Sequence, residues 1–310
     1  MLSKKIKLYW YRHNEGHGNF GDALNPYIIE ELTGQSTTFV DIYYFGLSPI
    51  LFFKTLTYDF FNNKLSLVDY LKYIYYFISK PKILVSIGSI LQLVKSENIL
   101  VWGAGVISKD VTKFANATFL AVRGKYTQEV IKKQGYLPPD TIGDPALLLP
   151  LVFEARENKR FRLGIIPHFI HYKEFKELSS KDILVINLLE PIEKIIQDIN
   201  SCEITLSTSL HGIIVSHAYK VPSLWVKSNK KKLDGDDIKF KDYFSSVKLN
   251  FYEPKYLSTD LVSDEKIREF INCVGNEKLL PDIEIIKELQ SKLLNSFPYR
   301  LKDKFDKHLL

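Results

Sequence analysis

Cysteine is scarce in this chain of 310 residues, which contains only Cys202 and Cys273. Two cysteines are too few for a disulfide framework or for a tetrahedral zinc site built from thiolates. This composition is typical of a protein that works in a reducing compartment. We therefore predict a cytoplasmic chain.

Long apolar runs are also missing. The first seven residues carry positive charge, but neither an apolar stretch nor a cleavage site follows them, so they do not resemble a signal peptide. The main apolar stretches, residues 42–53 and 83–94, fall short of the roughly eighteen residues that a membrane-spanning helix needs. We interpret both as buried strands or helices and expect no membrane span.

A concentrated basic patch is absent as well. The net charge is +6 and the pI is about 8.9, and the basic residues are scattered. The densest run, residues 227–232, lies beside Asp234 and Asp236, so a solvated loop is favoured over a nucleic-acid interface. His13 and His17 lie in a loop that could reach a cleft, but their spacing matches no metal-binding pattern. We predict no metal, no cofactor and no nucleic-acid partner.

The chain does contain a regular alternation of short apolar strands and helical segments. Strands are predicted at residues 6–11, 83–86, 99–102 and 119–122, and the pattern restarts at 162–166, 183–186, 203–206 and 223–226. Such alternation is typical of βαβ units and parallel sheets. The fold class is therefore α/β, with two Rossmann-like doubly wound domains that face a cleft. We place them at residues 1–153 and 161–310, the second ending in helices.

The most informative stretch covers residues 205–218, where a strand leads through a hydroxyl-rich turn into a helix. A helix that begins at such a turn directs backbone N–H groups and a positive dipole end toward one point, which suits an anion. His211 places a group that titrates near neutral pH at the same point. An enzyme with an anion site is therefore predicted. His217, six residues further on, is predicted to be structural.

Other chemically interesting residues follow the predicted strands, where open α/β sheets bind ligands: Asp22, Gly88, Gly103, Arg123 and His168. Each has a structural alternative. Asp22 could cap a helix, and the two glycines could only shape the floor of the cleft. Arg123 could pair with a carboxylate such as Asp144 or grip a phosphate. His168 could be a hydrogen-bonded structural residue. Residues 52–80, rich in Tyr, Phe and Lys, are interpreted as a core helix pair, with a membrane-surface element as the alternative.

Taken in order, these residues resemble the polysaccharide pyruvyl transferase family. The matching blocks are residues 19–25, 86–89, 102–105, 122–124, 143–145, 166–168 and 207–212. The first and last blocks, Asn-Phe-Gly-Asp-Ala-Leu-Asn and Ser-Thr-Ser-Leu-His-Gly, are the most specific. The blocks look most like family members that decorate bacterial exopolysaccharides and capsules.

The resemblance implies a fold similar to the two-domain GT-B glycosyltransferases. It also implies phosphoenolpyruvate as the donor and a sugar diol as the acceptor, either polymeric or lipid-linked at the inner face of the membrane. The first domain would take the acceptor and the second the donor. His211, Asp22 and His168 are the implied catalytic residues, and the implied substrate-binding residues are Arg123, Ser207, Thr208, Ser209, Gly212, Asn25, Gly88 and Gly103.

One position departs from the pattern. Some family members carry arginine two residues before the motif histidine, and this chain has Ser209 there. Another cation, such as Arg123, would then balance the charge of the donor. Two alternatives remain open at this point: a glycosyltransferase that uses a nucleotide sugar, and a non-catalytic subunit that binds glycans in a polysaccharide assembly complex.

Overall fold

The computed structural model describes residues 5–12, 19–110, 113–156, 158–229, 232–233, 235–258, 262–275 and 278–309. The first unit is built on a five-stranded sheet whose paired strands all run parallel, in the order β2-β1-β3-β4-β5. Its strands are β1 (Ile6–Tyr9), β2 (Thr37–Phe39), β3 (Ile83–Val85), β4 (Ile99–Trp102) and β5 (Thr118–Ala121). The first unit also contains helices α1 (Phe20–Thr33), α2 (Pro49–Phe61), α3 (Leu67–Ser79), α4 (Lys125–Lys133) and α5 (Leu149–Val152).

The second unit repeats this plan. Its parallel sheet has the order β10-β9-β8-β6-β7, with strands β6 (Phe161–Ile166), β7 (Ile183–Val185), β8 (Cys202–Ser207), β9 (Ser223–Lys227) and β10 (Lys255–Tyr256). The remaining helices are α6 (Tyr172–Phe175), α7 (Ile192–Asn200), α8 (Leu210–Ala218), α9 (Ile238–Ser246), α10 (Asp264–Val274) and α11 (Ile283–Asn295). Numbered within each unit, both sheets follow the order 2-1-3-4-5. The sequence revealed no repeat, because the two units share topology rather than residues.

Local sequence signals explain several of these boundaries. Helix α1 ends at Gly34, which adopts a left-handed conformation with φ of 70°. Helix α3 begins after Ser66, whose hydroxyl accepts a hydrogen bond from the backbone N–H of Asp69. Helix α2 has Pro49 at its first position, where a missing N–H costs nothing.

The end of the chain crosses back to the first unit. The indole Nε1 of Trp102, on β4, donates a hydrogen bond of 3.0 Å to the carbonyl of Leu293 on α11. The amide of Gln290 donates to the carbonyl of Leu147, and the backbone N–H of Lys302 donates to that of Leu32. One continuous hydrophobic core contains buried residues of both sheets and of α11. The division at residues 153 and 161 remains a prediction, and the packing of α11 crosses it.

The structure confirms the α/β class and the two Rossmann-like units. It also confirms a helix pair within residues 52–80, but only part of its apolar surface is buried: Phe52, Leu56, Tyr73 and Tyr76 lie in the core. Strands β2 and β10 were not predicted, because they have only three and two residues. Among the described residues, no helix is long and apolar enough to cross a membrane.

Candidate active site

A cavity of about 450 Å³ opens where the two sheets present the carboxyl ends of their strands to each other. In each unit the strand order reverses direction between the first and third strands, and ligands of doubly wound sheets bind at such a point. Residues that follow all four of these strands line the cavity: Tyr11 after β1, Gly88 and Ser89 after β3, His168 after β6, and Ser209, Leu210 and His211 after β8. The cavity therefore lies at the switch point of both sheets.

His211 is held between the two units. It lies in the first turn of α8, and its ring packs directly on the backbone of Gly21 in α1. A Cβ atom added to Gly21 would lie only 2.0 Å from Nδ1 of the ring, so no larger residue fits there without moving His211. The two most specific blocks of the sequence thus meet in one contact.

A buried carboxylate lies on the other side of the same ring. Oδ2 of Asp144 is 3.7 Å from Nε2 of His211, close enough for attraction but too far for a hydrogen bond. The other oxygen of Asp144 accepts a hydrogen bond of 3.0 Å from the backbone N–H of Ala146 and caps the turn that follows. Within the described part of the chain, neither Nε2 of His211 nor Oδ2 of Asp144 has a hydrogen-bond partner. Asp144 therefore caps a turn through one oxygen and faces His211 with the other.

Asp22 brings a second titratable group to the cavity. It lies in the first turn of α1 and is largely buried. Burial raises the pKa of Asp22 from 3.8 to about 7, although attraction by His211 opposes this shift. Its carboxylate is therefore a stronger base than that of an ordinary aspartate, which suits proton transfer. The predicted helix cap is not seen, since Asn19 holds the capping position.

Arg123 lies outside the cavity wall. Its side chain is fully buried, and Nε donates a hydrogen bond of 3.0 Å to Asp242. The two terminal nitrogens donate to the hydroxyl of Ser89 and to the carbonyl of Val106. The ion-pair interpretation is correct, but the partner is Asp242 rather than Asp144. We therefore revise the prediction of a donor contact: Arg123 supports Ser89, which does line the cavity.

Asn25 and Gly103 also serve the framework. Asn25 is fully buried, and its amide group both accepts from the N–H of Ile87 and donates to the carbonyl of the same residue. These bonds hold the loop that carries Gly88, whose φ of 128° is a conformation that other residues rarely adopt. Gly103 packs on Pro145, because an added Cβ would lie 2.1 Å from the proline ring. Only Gly88 of these three lines the cavity.

In the hydroxyl-rich turn, too, most of the predicted residues support the framework and only one lines the cavity. Ser207 is fully buried, and its single hydroxyl proton lies within reach of the carbonyls of Ile166 and Ser209, while Oγ accepts from the N–H of Ser209. Gly212 leaves room for that hydroxyl, because a Cβ would approach it to 2.4 Å. Thr208 accepts a hydrogen bond from the N–H of His168. Of the four predicted binding residues in this segment, only Ser209 lines the cavity, at the N-terminus of α8.

Comparison with known proteins agrees with this geometry. The family model for polysaccharide pyruvyl transferase matches residues 19–230, which include the first turn of α1, the ends of β3, β6 and β8 at the cavity and His211. The chain belongs to the polysaccharide pyruvyl transferase family. The transferase is also 29% identical over 235 residues to the protein L143 of Acanthamoeba polyphaga mimivirus, with 69% of this chain and 78% of that protein covered. No solved structure matches the chain.

Sequence reasoning missed two cations of the transferase. Lys232 and Lys239 line the cavity, in the segment between β9 and the first turn of α9. Lys232 belongs to the basic run that was interpreted as a solvated loop. Its position just beyond the carboxyl end of β9 was the signal that could have placed it at the ligand-binding edge. Asn19 and Gln92, in the same cavity wall, were missed too.

The remaining predicted residues of the transferase have simpler outcomes. His217 is fully buried between the hydroxyl of Tyr243 and the carbonyl of Leu279, and burial lowers its pKa to about 4, so the structural interpretation is confirmed. His13 and His17 lie outside the described residues. Within the described ranges, no group of His, Cys, Asp and Glu side chains is arranged to hold a metal ion.

Proposed function

We propose that this transferase moves the pyruvyl group of phosphoenolpyruvate onto two hydroxyls of a saccharide, forming a pyruvate ketal. Family membership supports pyruvyl transfer and a saccharide acceptor. The observation that carries the choice of donor is the juxtaposition of His211, Asp22 and two lysines at one cavity. A small, highly charged acid that must gain a proton on carbon needs both kinds of group.

The charges fit this donor. Phosphoenolpyruvate carries up to three negative charges, and Lys232 and Lys239 bring two positive charges to the cavity. The N-terminus of α8, beside Ser209, adds backbone N–H groups and the positive end of the helix dipole. Since Arg123 is engaged with Asp242, we assign to the lysines the charge that an arginine supplies in some family members.

The reaction balances with two proton transfers. The first hydroxyl adds to C2 of the donor while C3 gains a proton and becomes a methyl group. The second hydroxyl then replaces phosphate at C2: the C2–O bond to phosphate breaks, a second C–O bond to the sugar forms, and phosphate takes up the second proton. The products are the ketal carboxylate and hydrogen phosphate, so the charge of the trianionic donor is conserved.

We assign both proton transfers to His211 and Asp22, which return to their starting forms when neutral His211 takes the proton of the second hydroxyl and protonated Asp22 gives its proton to the departing phosphate. His211 as imidazolium is the acid for C3, and Asp144 stabilises that cation from 3.7 Å. Asp22 as carboxylate takes the proton of the first hydroxyl, because a pKa near 7 makes it a far stronger base than an ordinary aspartate. His168, which lines the same cavity, is the alternative base.

Titration calorimetry with phosphoenolpyruvate tests the donor. Wild type should bind it saturably, and Lys232→Gln should bind about tenfold more weakly after losing one charge–charge contact worth about 1.4 kcal/mol. Lys287→Gln, on the exposed face of α11, is the matched control and should bind as wild type does. Equal affinity of Lys232→Gln and the control would refute the lysine assignment, and no donor binding would refute the choice of donor.

Phosphate release from the donor in the presence of a panel of glycosides tests the chemistry. His211→Ala should abolish release while the protein stays folded. Residual activity within about tenfold of wild type, a loss of only about 1.4 kcal/mol, would contradict the role of His211.

The same titrations separate the alternatives. A second cavity of about 360 Å³ adjoins the first, shares Lys232 and Leu233 with it, and includes Thr208 and Asp237 in its wall. UDP is therefore the comparator: UDP binding without donor binding would favour a glycosyltransferase. Saccharide binding without turnover of any donor would favour a non-catalytic subunit. Likeness to GT-B glycosyltransferases and a role in bacterial capsules or exopolysaccharides remain predictions.

A further inference from the structure

The large exposed hydrophobic side chains of the described residues are concentrated in one place. Sixteen such side chains are exposed, and ten of them belong to the segment 50–78, which forms helices α2 and α3. Ile50 is 84% exposed, Phe61 76% and Ile78 75%. Monomeric proteins rarely present a contiguous apolar surface of this kind without a partner.

The arrangement of the two helices explains how one face remains uncovered. Each helix buries one side in the first unit: Phe52 and Leu56 from α2, Tyr73 and Tyr76 from α3. The helices contact each other along a seam of aromatic rings, which includes the stacked pair Phe52–Phe77 and the pair Phe60–Tyr70.

The side opposite the core carries a stripe of exposed residues at helical spacing on each helix. These are Ile50, Tyr58 and Phe61 on α2 and Leu71, Tyr75 and Ile78 on α3. Since both helices bury their inner faces in the same core cluster, both stripes point away from the domain. We call these six residues the outer apolar face.

The charges around the outer apolar face are predominantly positive. Residues 49–82 contain five lysines and two aspartates, a net charge of +3. Both aspartates already have local partners, since Asp59 lies 3.1 Å from Lys64 and Asp69 pairs with Lys72. The other three lysines, Lys54, Lys80 and Lys82, are all exposed.

We propose that the hairpin of α2 and α3 docks the transferase on the surface of an anionic lipid bilayer. Exposed aromatic and aliphatic side chains enter the boundary between headgroups and acyl chains, while the lysines attract anionic headgroups. Each helix has 13 residues and is about 20 Å long, too short to span a bilayer but suited to lying in its surface.

The charge of the hairpin favours a bilayer over a second copy of the chain. The excess of lysines has no acidic counterpart in the outer face, so an isologous contact would oppose like charges. In addition, none of the residues of the hairpin lines the active-site cavity. Docking would therefore leave the cavity open to substrate, and the proposal does not depend on the identity of the donor.

Vesicle co-sedimentation tests the proposal on the full chain. The probe is vesicles of phosphatidylcholine mixed with phosphatidylglycerol, with pure phosphatidylcholine for comparison. Wild type should bind the mixed vesicles, and the triple variant Leu71→Gln, Tyr75→Gln, Ile78→Gln should bind at least about tenfold more weakly. Leu137→Gln, which changes an 88% exposed leucine outside the hairpin, is the matched control and should bind as wild type does.

A second variant tests the charges without touching the apolar side chains. The triple variant Lys54→Gln, Lys80→Gln, Lys82→Gln should also weaken binding to the mixed vesicles at least about tenfold, because each lysine near the surface attracts anionic headgroups. Equal binding by wild type and both triple variants would overturn the proposal. The proposal would also be overturned if wild type bound no vesicles and formed a dimer in sedimentation velocity, and if the variant Leu71→Gln, Tyr75→Gln, Ile78→Gln did not form that dimer. That result would assign the face to a second copy.

Discussion

Gly21→Ala is the sharpest test of the contact between the two units at His211. The new Cβ would lie 2.0 Å from Nδ1 of the ring. Atoms of this kind are comfortable only at about 3.5 Å or more, so the ring must withdraw by more than about 1 Å. A displacement of that size costs about 100-fold in rate, or about 2.7 kcal/mol of transition-state stabilisation.

The same substitution should not destabilise the protein as a whole. Gly21 lies within α1, where alanine is favoured over glycine by about 0.5–1 kcal/mol. The strain of the displaced ring opposes this gain, so the phosphate-release rate should fall about 100-fold while the melting temperature changes little.

Gly135→Ala is the opposite control. Its added Cβ meets nothing within 4 Å, but its φ of 83° is strained for alanine, so it should lose about 1–2 kcal/mol of stability and keep its turnover. Turnover of Gly21→Ala within about threefold of wild type would refute the packing argument, since the ring could then move without cost.

Three further predictions concern the carboxylates and the buried ion pair. Asp22→Asn should stabilise the fold at about pH 8 but not at about pH 4, because the pKa of Asp22 rises from 3.8 to about 7 on folding and its charged form destabilises the native state above that interval. Urea unfolding at the two pH values should show a difference in the gain of stability on the order of 4 kcal/mol or less. A larger gain at pH 4 than at pH 8 would contradict this prediction. Asp144→Asn keeps an oxygen that can accept from the N–H of Ala146 but removes the negative charge that faces His211. Turnover should therefore fall about tenfold to 100-fold while the melting temperature stays unchanged. Unchanged turnover would show that Asp144 has no part in the mechanism. Arg123→Ala should lower the free energy of unfolding in urea by about 3–5 kcal/mol, because it leaves the buried carboxylate of Asp242 without its ion-pair partner. Donor affinity measured by calorimetry should stay near that of wild type. A stable variant that had lost donor affinity would instead indicate that Arg123 contacts the donor.

Much of the fold could be predicted from periodicity and turn residues. Strand β4 was predicted with the bounds the structure shows, because a run of apolar residues is followed directly by a glycine turn. Strands β2 and β10 have only three and two residues, too few to show a periodic pattern, and each is recognisable only because it pairs with the strand before it, β1 or β9.

Only the part of the site that directly follows predicted strands, or begins a predicted helix, could be predicted from the sequence. His211, Asp22 and His168 were predicted from their positions and do line one cavity. Arg123 was misassigned because sequence cannot show that Asp242, 119 residues later, takes its guanidinium group. Lys232 was dismissed because neighbouring aspartates made it look like ordinary surface.

The hydrogen bond from Trp102 to Leu293 has a consequence for synthesis of the chain. The two residues are 191 positions apart, so the indole group leaves the ribosome long before its acceptor is made. At ordinary translation rates this delay lasts about 10–40 seconds. During that time the first sheet has no α11 to cover it, and the indole N–H of Trp102 lacks its folded-state acceptor. Synthesis of α11, rather than completion of the first sheet, is therefore the event that allows this part of the core to close.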